Sequence, residues 1–313
     1  MIRLAAILSI FLAGLVVFLS STGPANAAEP EVSLFRDLNA GPSNGVDGQI
    51  FSRGDSLFAF AFDARGTEPW NFTETSSAIA KDINPGPFGS IGMGEAIQMG
   101  NEVYFSAGNP ATGFELWRTS GNSVVQVEDI NPGAASSYPS SMAVLGNFVY
   151  FAAENGADGV ELWRADASGA TEVENIYPGA ISSYPNGLTT AGGHVYFAAQ
   201  EAGSGFEIYR TDGTTTGRVA DIVPGAGSSS PSELSAYNGQ VYFRATSPAD
   251  GVELFKTDGI TATQLGNINP TGDSFPSQVT GTGSGVYFQA SDGTSGIEPV
   301  SYTHLTLPTI LRV

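Results

Sequence analysis

A Gly-x-Glu tripeptide returns six times along this 313-residue chain, mostly as Gly-x-Glu-Leu-Trp or a near variant. Its glutamates, Glu68, Glu115, Glu161, Glu207, Glu253 and Glu298, are separated by 47, 46, 46, 46 and 45 residues. So regular a period marks an array of one supersecondary unit, which buries its apolar surface only by stacking on its own copies. It also limits the reading of sites. A residue present in every unit is explained first by packing between units.

Two further stations accompany the tripeptide. One is Val103-Tyr104-Phe105, repeated at 149–151, 195–197, 241–243 and 286–288, with Ser56-Leu57-Phe58 as a weaker first copy. The other is Asp-Ile-x-Pro-Gly, as in Asp129-Ile130-Asn131-Pro132-Gly133. Short runs rich in Val, Ile, Tyr, Phe and Trp between Gly, Pro, Asn and Asp are strand and turn chemistry. The Asp-Ile station reads as the outer strand of a unit. A fourth strand fits after Ser-x-Pro, as in Ser141–Leu145. Four strands in about 46 residues predict an all-β fold, a β-propeller of four-stranded antiparallel blades. A solenoid of parallel coils is the competing reading, disfavoured by tight turns such as Leu145-Gly146-Asn147-Phe148. About six repeats are present, and seven or eight blades are compatible with a longer protein.

The ends read differently. Residues 1–27 have a basic start, an apolar run from Leu4 to Leu19 and a small-x-small Ala25-Asn26-Ala27, the pattern of a cleaved export signal. Export to the cell surface, periplasm or medium is expected, with no stable membrane insertion after cleavage. The propeller domain is expected over 28–298, with Val32–Leu38 as an orphan strand available to complete the last blade. Residues 299–313, including Tyr302-Thr303-His304-Leu305-Thr306-Leu307-Pro308, resemble a translated sequencing adapter, so a non-native tail is expected there. With 31 acidic and 12 basic residues and a net charge of −19, nucleic acid and anionic membrane surfaces are poor partners.

Phe114-Glu115-Leu116-Trp117-Arg118-Thr119-Ser120-Gly121 and Phe206-Glu207-Ile208-Tyr209-Arg210-Thr211-Asp212-Gly213-Thr214 resemble the ELWxxDGT repeat of secreted bacterial proteins. The resemblance covers about Val32 to Glu298. It implies an exported, propeller-like repeat protein and no particular reaction.

Candidate residues divide by whether they repeat. Trp117, Trp163, Tyr209 and Phe255 share one register, which suits an inter-blade wedge better than a sugar-stacking platform. Glu115, Glu161, Glu207 and Glu253 lie three residues before Arg118, Arg164, Arg210 and Lys256. That spacing suggests a repeated ion pair from one blade to the next, with a catalytic carboxylate pair as the sharper alternative. Asp82, Asp129 and Asp221, with Asn131 and Ser136-Ser137, offer oxygens that suit calcium or, more simply, turn capping. No catalytic triad, phosphate loop or His/Cys metal cluster is visible, so no catalytic residue is assigned. The variable Asn155, Asp158, Asp250 and Asp292 fall in loops expected on one face, and are the candidate ligand contacts. The reading is a non-enzymatic binding or surface-structural module that meets carbohydrate or a protein surface outside the cell. A glycosidase or sialidase-like enzyme lacking part of its sequence is the alternative.

Overall fold

The computed structural model describes residues 45–283, 285–302 and 309–310. These form six four-stranded antiparallel sheets, each built from consecutive strands. The first blade is β1 (Val46–Arg53), β2 (Ser56–Asp63), β3 (Gly66–Phe72) and β4 (Ser77–Ile79). The second is β5 (Ile91–Met99), β6 (Glu102–Asn109), β7 (Gly113–Ser120) and β8 (Ser123–Gln126), the third β9 (Ser140–Leu145), β10 (Phe148–Glu154), β11 (Val160–Asp166) and β12 (Gly169–Glu174). Next come β13 (Asn186–Ala191), β14 (His194–Glu201), β15 (Ser204–Thr211) and β16 (Thr216–Ala220), then β17 (Ser232–Tyr237), β18 (Gln240–Ser247), β19 (Gly251–Thr257) and β20 (Ala262–Gln264). The sixth comprises β21 (Ser277–Thr282), β22 (Gly285–Ser291), β23 (Ile297–Tyr302) and β24 (Thr309–Ile310). First strands of the second to sixth blades approach one another in succession. This is a β-propeller.

Strand alternation explains the Val-Tyr-Phe station. In β14, Val195, Phe197 and Ala199 join Tyr150 and Leu162 of the preceding blade in one core. Tyr196, on the opposite face, joins Val241 and Phe243 of the following blade. The next junction repeats this with Tyr242, Leu254, Val286 and Phe288. Each second strand is therefore apolar at consecutive positions because both its faces are covered.

Three expectations are corrected. The Asp-Ile station is not the outer strand; it follows that strand as the bend leading to the next blade. In the first blade the pattern shifts by one residue. Ala61 pairs with Glu68 as Ala107 pairs with Glu115, so Leu57-Phe58-Ala59 is the true equivalent of Val103-Tyr104-Phe105. One more residue between β6 and β7 absorbs the difference. The third, the partner of the repeated glutamate, is described below. Residues 1–27 and the Val32–Leu38 strand lie outside the described residues. The expected boundary at Glu298 falls within β23, where Val300 pairs with Phe288 as Trp117 pairs with Phe105.

Every first strand carries a bulge. At this station Ser141, Glu233 and Gln278 have φ of 54°, 55° and 52°, while Gly48 and Gly187 occupy it in two other blades. Glu95 is the second blade's equivalent. The station lines a central cavity of about 760 Å³, which Gly48, Glu95, Ser141, Gly187 and Glu233 all border. Side chains stitch blades here: Met142 N–H donates to Glu95 Oε2 at 2.9 Å, and Leu188 N–H to Ser141 Oγ at 3.1 Å.

Candidate functional site

Five of the six repeated glutamates, Glu68, Glu115, Glu161, Glu207 and Glu253, show 0 % exposure, and Glu298 is half-buried. Their partners are not arginines. Glu161 Oε2 accepts from Ile176 N–H at 2.9 Å and Ser183 Oγ–H at 2.6 Å, and Oε1 from Ser183 N–H at 2.8 Å. Glu115 binds Ile130 and Ser137 in the same way and Glu207 binds Ile222 and Ser229. Glu253 instead accepts from Ile268 N–H and Ser274 Oγ–H through Oε2 alone, the Ser274 N–H turning to Val252 O and Oε1 being left buried without a hydrogen bond. Each carboxylate thus pins both ends of the loop joining two blades. A buried charge needs several donors, and backbone N–H groups supply them at shorter reach than a long cation. Burial nevertheless pushes the carboxyls of Glu68, Glu115, Glu161 and Glu253 above the ordinary range, against these hydrogen bonds.

The arginine three residues on works at the opposite face. Arg164 Nη1 donates to Gly213 O of the next blade at 2.9 Å, and Arg118 Nη2 to Ala167 O at 3.2 Å. Arg118 also pairs with Glu102 of its own blade at 2.8 Å. Gly213 and Gly259, the glycines of Asp-Gly turns, have φ of 88° and 94°. A Cβ on Gly259 would stand 2.3 Å from Arg210 Nη1 and 2.5 Å from Tyr196 Oη of the preceding blade. The Glu-Leu-Trp-Arg and Asp-Gly-Thr segments are accordingly two halves of one inter-blade joint.

Trp117 (4 % exposed), Tyr209 (2 %) and Phe255 (5 %) are turned into inter-blade cores, and Trp163 packs partly buried against the third-blade junction. The indole N–H groups of Trp117 and Trp163 are buried with no acceptor. These rings pack; they present nothing to a ligand.

What remains is the face carrying the inter-blade loops. The loops between second and third strands share it, because Ser136, Ser182 and Ser228 accept from Phe114, Val160 and Phe206 N–H at 2.8–2.9 Å. Asn155 Oδ1 accepts from Ala157 and Asp158 N–H, and its Nδ2 donates to Asp158 Oδ2 at 2.8 Å. Asp250 accepts from Gln264 and Asn267 side chains. Asp292 accepts from Thr294 and Ser295 N–H, which holds its carboxyl down at about 2. All four lie in loops on this face, and each is engaged in local bonds that shape its loop.

Sequence reasoning missed the more telling residues. Tyr138, Tyr184 and Phe275 are 63 %, 52 % and 53 % exposed at one station of this face, each just before a proline. Their φ values are 48°, 49° and 46°, and Ser230 takes the same station at 49°. Tyr138 stacks on Phe114 at 6.1 Å. The signal was a Ser-aromatic-Pro tripeptide at 137–139, 183–185 and 274–276, with Ser-Ser-Pro at 229–231, overshadowed by the stronger Glu-Leu-Trp run. Between the fourth and fifth blades a pocket of about 470 Å³ opens, lined by Phe206, Phe275 and Arg244 among others.

Asp82, Asp129 and Asp221 belong to separate inter-blade bends. Asp129 Oδ2 accepts from Gly133 N–H at 3.2 Å, Asp221 lies 3.5 Å from Arg218, and Asp82 Oδ1 is buried without a hydrogen bond. Ser136 and Ser137 are committed to the loop bonds above. No cluster of three or more His, Cys, Asp or Glu side chains suited to a metal occurs among the described residues.

No protein-family model matches the chain, and no curated protein matches it. Among solved structures it is similar to the β-propeller domain of the Trilobed protease from Pyrococcus furiosus, at 11 % identity and TM-score 0.47, covering 86 % of this chain and 84 % of that one. It is also similar to a Mycobacterium tuberculosis puromycin-hydrolyzing peptidase (10 %, TM-score 0.40, 84 % of this chain) and to a puromycin hydrolase complexed with PGG (11 %, 0.38, 85 %). The chain spans about half the length of these last two, 52 % and 53 %.

Proposed function

We propose that this propeller is an exported, non-enzymatic binding module whose recognition surface is the inter-blade loop face and whose ligand class is extracellular carbohydrate. The observation that carries the reading is the station of Tyr138, Tyr184 and Phe275. These rings are more than half exposed, on backbone that side chains occupy at a cost of about 1–3 kcal/mol each. Ser230 adopts the same conformation without a ring, so the fold does not require an aromatic there. An exposed ring at a strained, repeated site suits a partner with a flat apolar face, and the surrounding Asn155, Asp158, Asp250 and Asp292 supply a polar rim. The resemblance to secreted ELWxxDGT-repeat proteins and the export-type leader support an extracellular setting.

The test copies the chain's own solution. Replacing Tyr138, Tyr184 and Phe275 together by Ser reproduces the Ser230 station. The expected result on a glycan array is loss of binding at an unchanged melting temperature. Binding that survives the triple change, no glycan bound by the wild type, or turnover of a glycoside substrate would overturn the reading.

A further inference from the structure

In a repeat protein a site is best sought where the repeat is broken. Arg244 breaks it. Its station pairs with Leu254, as Ser106 pairs with Leu116, Ala152 with Leu162, Ala198 with Ile208 and Gln289 with Pro299. No other blade places a charge there, and the inter-blade joints use the other register, Arg118, Arg164, Arg210 and Lys256. Blade packing therefore gives no reason for this guanidinium.

Its surroundings are equally particular. Arg244 lines the pocket between the fourth and fifth blades, whose 470 Å³ falls within the roughly 300–1,000 Å³ of small-ligand sites. Its Nε donates to Ser232 Oγ at 3.1 Å. Among the described residues no carboxylate lies within ion-pair distance of it. Its bond to Ser232 is within its own blade, whereas Arg53 and Arg164, which also have no carboxylate partner, donate to carbonyls of the next one. The neighbouring acids are occupied elsewhere. Glu233 borders the central cavity, Asp250 accepts from Gln264 and Asn267, and Asp273 Oδ1 accepts from Val252 N–H. The rest of the lining combines the Phe206 and Phe275 rings with the hydroxyls of Ser230, Ser232 and Thr246.

We infer that this pocket binds an acidic sugar residue, with Arg244 taking the carboxylate of a uronate and the rings facing its C–H surface. Guanidinium is the side chain suited to a planar carboxylate, through two parallel charge-assisted hydrogen bonds. Rings and hydroxyls side by side match a pyranose, which has an apolar face and a hydroxyl edge. The inference rests on the carbohydrate-binding reading of this face and specifies which sugars it prefers. Long-range repulsion from the net negative charge is confined by a screening length of about 8 Å at physiological salt.

Titration calorimetry with a galacturonate oligosaccharide and its fully methyl-esterified form provides the test, with a peptide compared as free acid and C-terminal amide. The wild type should prefer the acid over the ester by roughly tenfold to a hundredfold. Arg244→Gln should bring the acid down to the level of the ester. Glutamine stands at the same station as Gln289, so this variant is expected to fold, and its melting curve verifies that. Phe275→Ser should weaken acid and ester alike. Equal affinity for acid and ester, with Phe275→Ser still weakening both, overturns the uronate assignment and leaves carbohydrate binding standing. Preference for the free-acid peptide with neither sugar bound overturns both readings, as does no binding at all.

Discussion

At the scale of single residues, the decisive group is a carboxylate with no access to water. Glu161 satisfies three donors across the loop between the third and fourth blades. Removing it strands Ile176 N–H and the Ser183 hydroxyl in a dry site, at roughly 1–3 kcal/mol for each unsatisfied group, and leaves Ser183 N–H only its longer bond to Val160 O at 3.1 Å. Glu161→Ala should therefore lose about 3 kcal/mol or more in urea denaturation. Loss below 1 kcal/mol would show that water replaces the carboxylate freely. The glutamates were legible in the sequence as the strongest repeat, but their partners were not. A carboxylate three residues from an arginine suggests an ion pair, whereas the real donors stand 15 and 22 residues on, at Ile176 and Ser183. Both recur at fixed spacing, yet backbone N–H groups leave no trace in side-chain identity.

Among elements, the turns and loops carry the specificity of assembly. Gly225 and Gly259 both adopt left-handed backbone, φ 84° and 94°. A Cβ meets nothing within 4 Å at Gly225, but sits against Arg210 and Tyr196 at Gly259. Gly225→Ala should cost about 1 kcal/mol from the backbone alone. Gly259→Ala should cost more, because the Arg210 guanidinium and the Tyr196 hydroxyl of the fourth blade must leave their places against the turn to admit the methyl. Equal melting temperatures for the two variants would refute the joint. Strands were readable because Val195-Tyr196-Phe197 is apolar on both faces. The bend at Asn175-Ile176-Tyr177-Pro178 was not, because a buried isoleucine looks the same in a strand and in a pinned loop.

Across the whole molecule, the buried glutamates act together on the response to acid. Burial raises the carboxyls of Glu68, Glu115, Glu161 and Glu253, so folding favours their protonated forms. Their stabilisation is complete below the ordinary glutamate value of about 4.3 and is lost as pH rises through the raised values. Hydrogen bonds lower Asp63, Asp166, Asp212, Asp258 and Asp292; their contribution holds above about 3.9 and fades as pH falls through their depressed values. Calorimetry should find the melting temperature rising as pH falls from neutral toward the ordinary glutamate value of about 4.3, and falling below the ordinary aspartate value of about 3.9, with a smaller rise in Glu115→Gln. A steady fall from pH 7 downward would mean that the hydrogen bonds outweigh burial. The blade architecture itself was plain from the period, since six equal units admit few packings. The aromatic loop face and the Arg244 pocket were not, because only folding brings residues of separate repeats side by side. The bulge along the innermost strands has a last consequence. Gly48, Glu95, Ser141, Gly187, Glu233 and Gln278 occupy one position whose side chain leaves the sheet's packing pattern. The bore of the propeller can therefore be relined, blade by blade, without touching the apolar cores between blades, the bonds that Glu95 and Ser141 make to the next blade being what such a change gives up.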